Sequence, residues 1–159
     1  LLKSLLLAAA FLVLWCASVG VTYSASDTVL QEQAAAEAAA AIGCEVGQIA
    51  KSIVFQGKKS GTPFLVVASG ANRINERKVA KYFGEAVRKP DADYVLEHTG
   101  FAIGGIPPVG HLEDIPCLLD EDLFQYAELW AAAGSPFAVF CVTSQQLQEL
   151  TGGQVVEVK

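Results

Sequence analysis

The chain has no methionine, only two histidines and four cysteines, and charged residues make up just 18% of it. Each shortage removes a class of chemistry. His98 and His111 are too few for a centre built on several imidazoles. Cys16, Cys44, Cys117 and Cys141 are widely spaced, with no C-x-x-C and no histidine pair nearby, which argues against zinc and against a disulfide framework. They read as small core residues in a reducing compartment. No serine sits in a G-x-S-x-G elbow, and neither a P-loop nor an H-E-x-x-H is present. Gly104-Gly105 lacks the spacing of a dinucleotide fingerprint. No metal and no organic cofactor is expected.

What remains is a chain of 159 residues, 52% of them hydrophobic, which is the size and composition of one globular domain with a real core. Its net charge of −6 hides an asymmetry. Residues 51–89 hold nine of the eleven bases against Glu76 and Glu85, a local +7. Residues 90–159 hold eleven acids against Lys159. Screening confines attraction to about 8 Å at physiological salt, so an acidic protein with one basic segment can hold a polyanion on that face. A simple excess of solvated lysines is the other reading.

The densest local signal is Thr99-Gly100-Phe101-Ala102-Ile103-Gly104-Gly105-Ile106-Pro107-Pro108-Val109-Gly110-His111. Four glycines and two adjacent prolines exclude a helix or a central strand. Such a loop either makes a rigid turn or presents bare amide N–H groups to a ligand oxygen.

Hydrophobic periodicity alternates along the chain. Thr28 is placed to cap an alanine-rich helix over 29–42 that ends at Gly43. Strands are expected over 51–56 and 63–68, with a Gly57–Gly61 turn between them. A helix capped by Asn72 or Asn75 runs to Phe83, another starts at Asp91 and stops at Gly100, and a strand covers 115–119. Residues 122–133 read as helical by propensity, followed by a Gly134-Ser135-Pro136 turn, a strand over 137–142, a helix from Thr143 to Gly152 and an edge strand over 155–158. The interleaving without regular βαβ spacing predicts a mixed α/β or α+β fold, a single domain over 1–159.

The N-terminus admits two readings. The uncharged run from Leu5 to Ala17, after Lys3, is too short to span a bilayer and suits the h-region of a signal peptide, with Ser24-Ala25-Ser26 as a weak cleavage site. It equally suits a buried first helix followed by a strand over 21–24. An all-round apolar helix needs covering, which makes a homodimer as well as a monomer compatible with the sequence.

The segment Gly43-Cys44-Glu45-Val46-Gly47-Gln48-Ile49-Ala50-Lys51-Ser52-Ile53-Val54-Phe55 resembles the signature of the YbaK family. These are aminoacyl-tRNA deacylase domains related to the editing insert of bacterial prolyl-tRNA synthetase. The alanine-rich helix, the Gly104–Pro108 G-x-x-x-P loop, the Pro-Val-Gly-His run and Ala132-Ala133-Gly134-Ser135-Pro136 resemble that family in the same order, over about residues 28–159. The family has a helix and a strand before its alanine-rich helix, and residues 1–27 are enough to supply both. Cleavage of a leader would delete that layer, so a cytoplasmic domain that does not engage a membrane is expected, with export as the alternative.

The resemblance implies a largely antiparallel, curved or barrel-like sheet flanked by helices. It also implies hydrolysis of the ester joining a wrong amino acid to the 3′ acceptor end of a tRNA, with prolyl-tRNA synthetase as an associated partner. A synthetase pocket separates substrates differing by one methylene by only about 1–3 kcal/mol, so a second site that removes the intruder is needed. The family clears alanine or cysteine from tRNA for proline. Carried onto this chain, Gly104 and Gly105 would supply oxyanion donors, each typically contributing about 2.7–4 kcal/mol. Lys51 would hold the terminal phosphate or ribose, and the ribose hydroxyl would help activate water, since no general base is evident. Ile53, Ser69, Arg73, Asn75, Ile106, Pro108, His111 and Asp120 are the candidate substrate contacts. Two other classes stand beside this one: a non-catalytic module binding tRNA through the basic segment, and an exported protein with no tRNA partner.

Overall fold

A computed structural model describes residues 28–159. The expected first helix, the strand over 21–24 and the cleavage-site reading lie outside the described residues. Helix α1 (Thr28–Ile42) is followed by a short 3₁₀ turn (Val46–Gln48), then β1 (Ile49–Gly57) and β2 (Pro63–Ser69). Next come α2 (Glu76–Phe83), β3 (Val87–Arg88), α3 (Ala92–Thr99) and β4 (Cys117–Asp120). A 3₁₀ turn (Glu121–Gln125), β5 (Leu129–Ala132), β6 (Val139–Val142), α4 (Ser144–Thr151) and β7 (Gln154–Val156) complete the described chain.

Helix starts follow the caps the sequence offers. The Asn75 side chain accepts from the Arg77 and Lys78 amides, and Asp91 accepts from the Tyr94 amide. Thr143 and Gln146 form a reciprocal capping box. Helices α2, α3 and α4 each stop at a glycine in the left-handed region. Alanine-rich α1 has small residues to bury, and Ala35 and Ala39 pack on Ile49 with Trp130 alongside.

The strands form one mixed sheet in the order β6-β5-β1-β2-β4-β7, with β3 also on β1. Pairings β1–β2, β1–β3 and β5–β6 are antiparallel, whereas β1–β5, β2–β4 and β4–β7 are parallel. The sheet is therefore more evenly mixed than expected. Parallel pairs join distant segments, and their partners cannot be read from local pattern. The larger difference lies over 122–133. Only a 3₁₀ turn forms there, and Leu129–Ala132 is a strand hydrogen-bonded to β1 on one side and β6 on the other. Leu129 and Ala131 are fully buried while Trp130 turns toward α1, so the segment alternates with a period of two, and pairing overrides the helix propensity of alanine.

Alternation along β1 divides the interior. Ala50 and Val54 join Leu65, Val67, Leu119, Leu129 and Leu147 in a first core. Phe55, with Ile53 against it, joins Phe64, Val66, Ala68, Val79 and Leu118 in a second core on the other face. The cysteines are less interior than expected: Cys44 and Cys117 are half-buried and Cys141 is exposed. Burial pushes the Cys117 thiol up to about 12. Leu119 has no exposed surface and sits in the middle of the first core. Leu119→Ala is expected to cost about 2–5 kcal/mol of stability, read as a lower urea midpoint with an unchanged slope.

Candidate functional site

Odd-numbered positions put the Lys51 side chain on the same face of β1 as Ile53 and Phe55. On the edge away from β2, among the described residues, β1 is paired only at its start, by β5 at Ile49 and Ala50, and at its end, by β3 at Gln56 and Gly57. A shallow cleft lies against Lys51, Ile53 and Phe55, closed by Glu32 of α1, Arg73 and Ile74 before α2, Glu76, and Lys89 after β3. Three cations thus meet two carboxylates around an apolar floor. The acceptor end of an RNA, with its phosphates, ribose and small acyl group, has that mixed chemistry. Burial lowers the Lys51 pKa; Glu32 and Asp120 act against that shift and Lys89 acts with it.

The Lys51 ammonium is held by backbone. It donates to the carbonyl of Asn72 at 2.6 Å and reaches that of Gly70 at 3.5 Å. Gly70 is required there, because a Cβ would stand 2.4 Å from the Val46 carbonyl oxygen. The Asn72 amide nitrogen donates to Asp120 at 2.8 Å and to Asp122 at 2.7 Å. Asp120, with 1% of its surface exposed, also accepts from the Ser69 amide at 3.0 Å and the Asp122 amide at 3.1 Å.

Several expected contacts turn out to serve the fold. The Ser69 hydroxyl is buried and donates to the Gly47 carbonyl. The side-chain oxygen of Asn75 is engaged in its helix cap. Asp120 caps the 3₁₀ turn and is saturated by N–H groups of its own chain. Ile106 and Pro108 are buried, with Ile106 part of the first core. His111 directs Nε2 to the Pro107 carbonyl at 2.8 Å, bracing the loop on itself, and His98 pairs with Glu113.

The glycine–proline loop departs furthest from expectation. Gly105 is buried, its amide donates to the Ala102 carbonyl at 3.1 Å, and it is not a free oxyanion donor. A Cβ on Gly105 would lie 2.7–2.9 Å from Ser135 and Pro136 backbone atoms, so this glycine permits close packing of two loops. Gly104 is exposed with φ +95°, and no hydrogen bond within the described residues engages its amide. The expected face-to-face arrangement of Lys51 and the loop is not what the sheet builds. Ile106 enters the first core while Lys51 points to the opposite face, and no residue of 99–111 lines the Lys51 cleft. Among the described residues no three His, Cys, Asp or Glu side chains converge as metal ligands would. No helix among them is long and apolar enough to cross a membrane.

A family model described as an aminoacyl-tRNA editing domain matches residues 31–150. The chain belongs to that family. It is 34% identical over 119 residues to the uncharacterized protein YwhH of Bacillus subtilis (strain 168), covering 75% of each chain. It is 30% identical over 137 residues to EbsC of Enterococcus faecalis (strain ATCC 700802 / V583), a candidate Cys-tRNA(Pro)/Cys-tRNA(Cys) deacylase, covering 84% of this chain and 79% of that one. A solved structure of a candidate trans-editing enzyme for prolyl tRNA synthetase superposes with a TM-score of 0.75 at 50% identity, over 79% of this chain and 78% of its own. Within this editing domain, sequence reasoning singled out Lys51, Ile53 and Arg73 of the cleft but missed Glu32, Lys89 and the bridging role of Asn72. Lys89 stood in the basic segment without a partner to mark it, and Asn72 carries the same signal as any helix cap.

The two loop glycines separate by stability. Gly104→Ala has room, its Cβ 3.8 Å from Pro136 Cγ, and is expected to cost only the about 1–2 kcal/mol of a left-handed alanine. Gly105→Ala must push two backbones apart and is expected to cost about 3 kcal/mol. Thermal melts of the two variants read the difference.

Proposed function

We propose that this editing domain is a trans-acting aminoacyl-tRNA deacylase that removes a small amino acid, alanine or cysteine or one of similar size, from tRNA for proline. The observation that carries the reading is the Lys51 cleft, where a half-buried ammonium and two further cations gather on a protein of net charge −6. EbsC is described as a candidate Cys-tRNA deacylase and the solved structure as a candidate trans-editing enzyme for prolyl tRNA synthetase, which support the substrate class and the partner respectively.

In this reading Lys51 grips the phosphate or ribose of the terminal nucleotide, with Arg73 and Lys89 on the adjoining backbone. Ile53 and the Ile74 side chain offer apolar surface sized for a small group. Water adds to the ester carbonyl carbon, and its proton passes to the vicinal ribose hydroxyl, which relays one to the departing ribose oxygen as the C–O bond breaks. The free amino acid and an uncharged tRNA end result. The glycine–proline loop lies toward the other face of β1 and does not line this cleft, so neither Gly104 nor Gly105 is assigned a part in stabilising the carbonyl oxygen. Lys51 acts as a fixed charge, since it donates to carbonyls and, among the described residues, pairs with no carboxylate. The domain works as a monomer or homodimer in the cytoplasm, where its substrate is.

The test is a panel of tRNAs for proline carrying alanine, serine, cysteine or proline. Turnover of at least one of the small esters and sparing of prolyl-tRNA is expected. Lys51→Ala removes a hydrogen bond to a charged group, worth about 1.5–3 kcal/mol, and should lower kcat/KM roughly tenfold to a hundredfold. Salt-sensitive tRNA binding with no turnover of any ester would establish the non-catalytic module instead. Gly104→Ala, in a loop that does not line the cleft, is expected to leave turnover undiminished.

A further inference from the structure

We propose that Asn72, anchored by the buried carboxylate of Asp120, is the positioning residue that aims Lys51 at its substrate. The inference rests on the functional reading of the Lys51 cleft. A lysine carries its charge on a flexible four-carbon stem, so a lysine that must grip one phosphate or ribose needs a fixed acceptor to hold it. Here the acceptor is not a carboxylate. It is a pair of main-chain carbonyls, of Gly70 and Asn72, in the turn that leaves β2.

That turn is secured from both ends. The Gly70 amide donates to the Ile49 carbonyl at 2.7 Å, and the Asn72 amide donates to the Ser69 carbonyl at 3.0 Å. The Asn72 side chain supplies the third tie, with its two N–H groups directed one each to Asp120 and Asp122. Two carboxylates this close repel unless a donor lies between them, and Asn72 is that donor. Lys159 pairs with the same Asp122 oxygen, Oδ2, that accepts from Asn72. Asp120 has no direct bond to Lys51, so its effect travels through the turn. The ammonium keeps at least one N–H for a ligand after bonding two carbonyls.

Removing the Asn72 side chain leaves the carbonyl that Lys51 uses and releases the turn that carries it. The effect on catalysis should therefore exist only while Lys51 is present. The experiment is a double-mutant cycle on kcat/KM for deacylation of alanyl-tRNA for proline, with Lys51→Ala, Asn72→Ala and the double variant, each checked by thermal melt. Asn72→Ala should lower kcat/KM roughly tenfold or more, as a misplaced binding group does. The double variant should be no slower than Lys51→Ala alone. Asn72→Ser, which keeps one donor between the carboxylates, should recover part of the loss, and it replaces Asn72→Ala in the cycle if that variant melts below the assay temperature. Losses that multiply, absence of rescue by serine, or wild-type turnover in Asn72→Ala would overturn the positioning role. Wild-type turnover in Lys51→Ala would instead overturn the functional reading of the cleft.

Discussion

The antiparallel ladder between β1 and β2 is the constraint on which the rest depends. Seven residue pairs, from Ala50 with Ser69 to Gln56 with Pro63, lock the two strands in register. A slip of one residue would exchange the two faces, sending Lys51 into the first core and Val54 out of it. Every other element takes its place from this pair. β5 and β3 attach to the two ends of β1, while β4 and then β7 extend outward from β2. The cleft occupies the face of β1 between its two short partners. Its charged rim comes from whatever follows or precedes these strands: α1, the turn after β2, and the segment after β3.

The same ladder explains how a cation is kept half-buried. The β2 end delivers Ser69, Gly70 and Asn72 beside the start of β1, and β4 delivers Asp120 beside Ser69. A charge buried without partners would be expelled or neutralised. Lys51 instead meets two carbonyl oxygens directly and the field of Asp120 and Glu32 at longer range. Asp120 is itself satisfied by the N–H groups of Ser69, Asn72 and Asp122. The glycine–proline loop belongs to the other face. Gly105 serves tight packing against Ser135 and Pro136, whereas Gly100, Gly104 and Gly110 are exposed.

Much of the fold was legible because its signals are local. Asn75, Asp91 and Thr143 cap helices by hydrogen bonds to amides two or three residues away, and the caps occur where their sequence positions imply. β1 and β2 announce themselves through branched and aromatic residues on either side of a glycine turn. Leu129–Ala132 was not legible, since alanine favours a helix until two neighbouring strands claim its backbone. The candidate site divides the same way. Lys51 stood out through the company of its flanking motif, but Asn72, Glu32 and Lys89 gain their significance only from partners 19 to 50 positions distant along the chain.

By itself the sequence determined the family, the order of most helices and strands, and the concentration of positive charge between residues 51 and 89. These depend on composition, spacing and short-range hydrogen bonding, all of which survive without knowledge of partners. Only the tertiary structure decided which face of β1 each residue occupies relative to the loop, and that Gly105 turns its amide inward. It alone decided that Ser69 and Asp120 are interior supports. The reason is physical: a side chain's availability depends on what packs against it, and in a mixed sheet those neighbours come from segments far away in sequence.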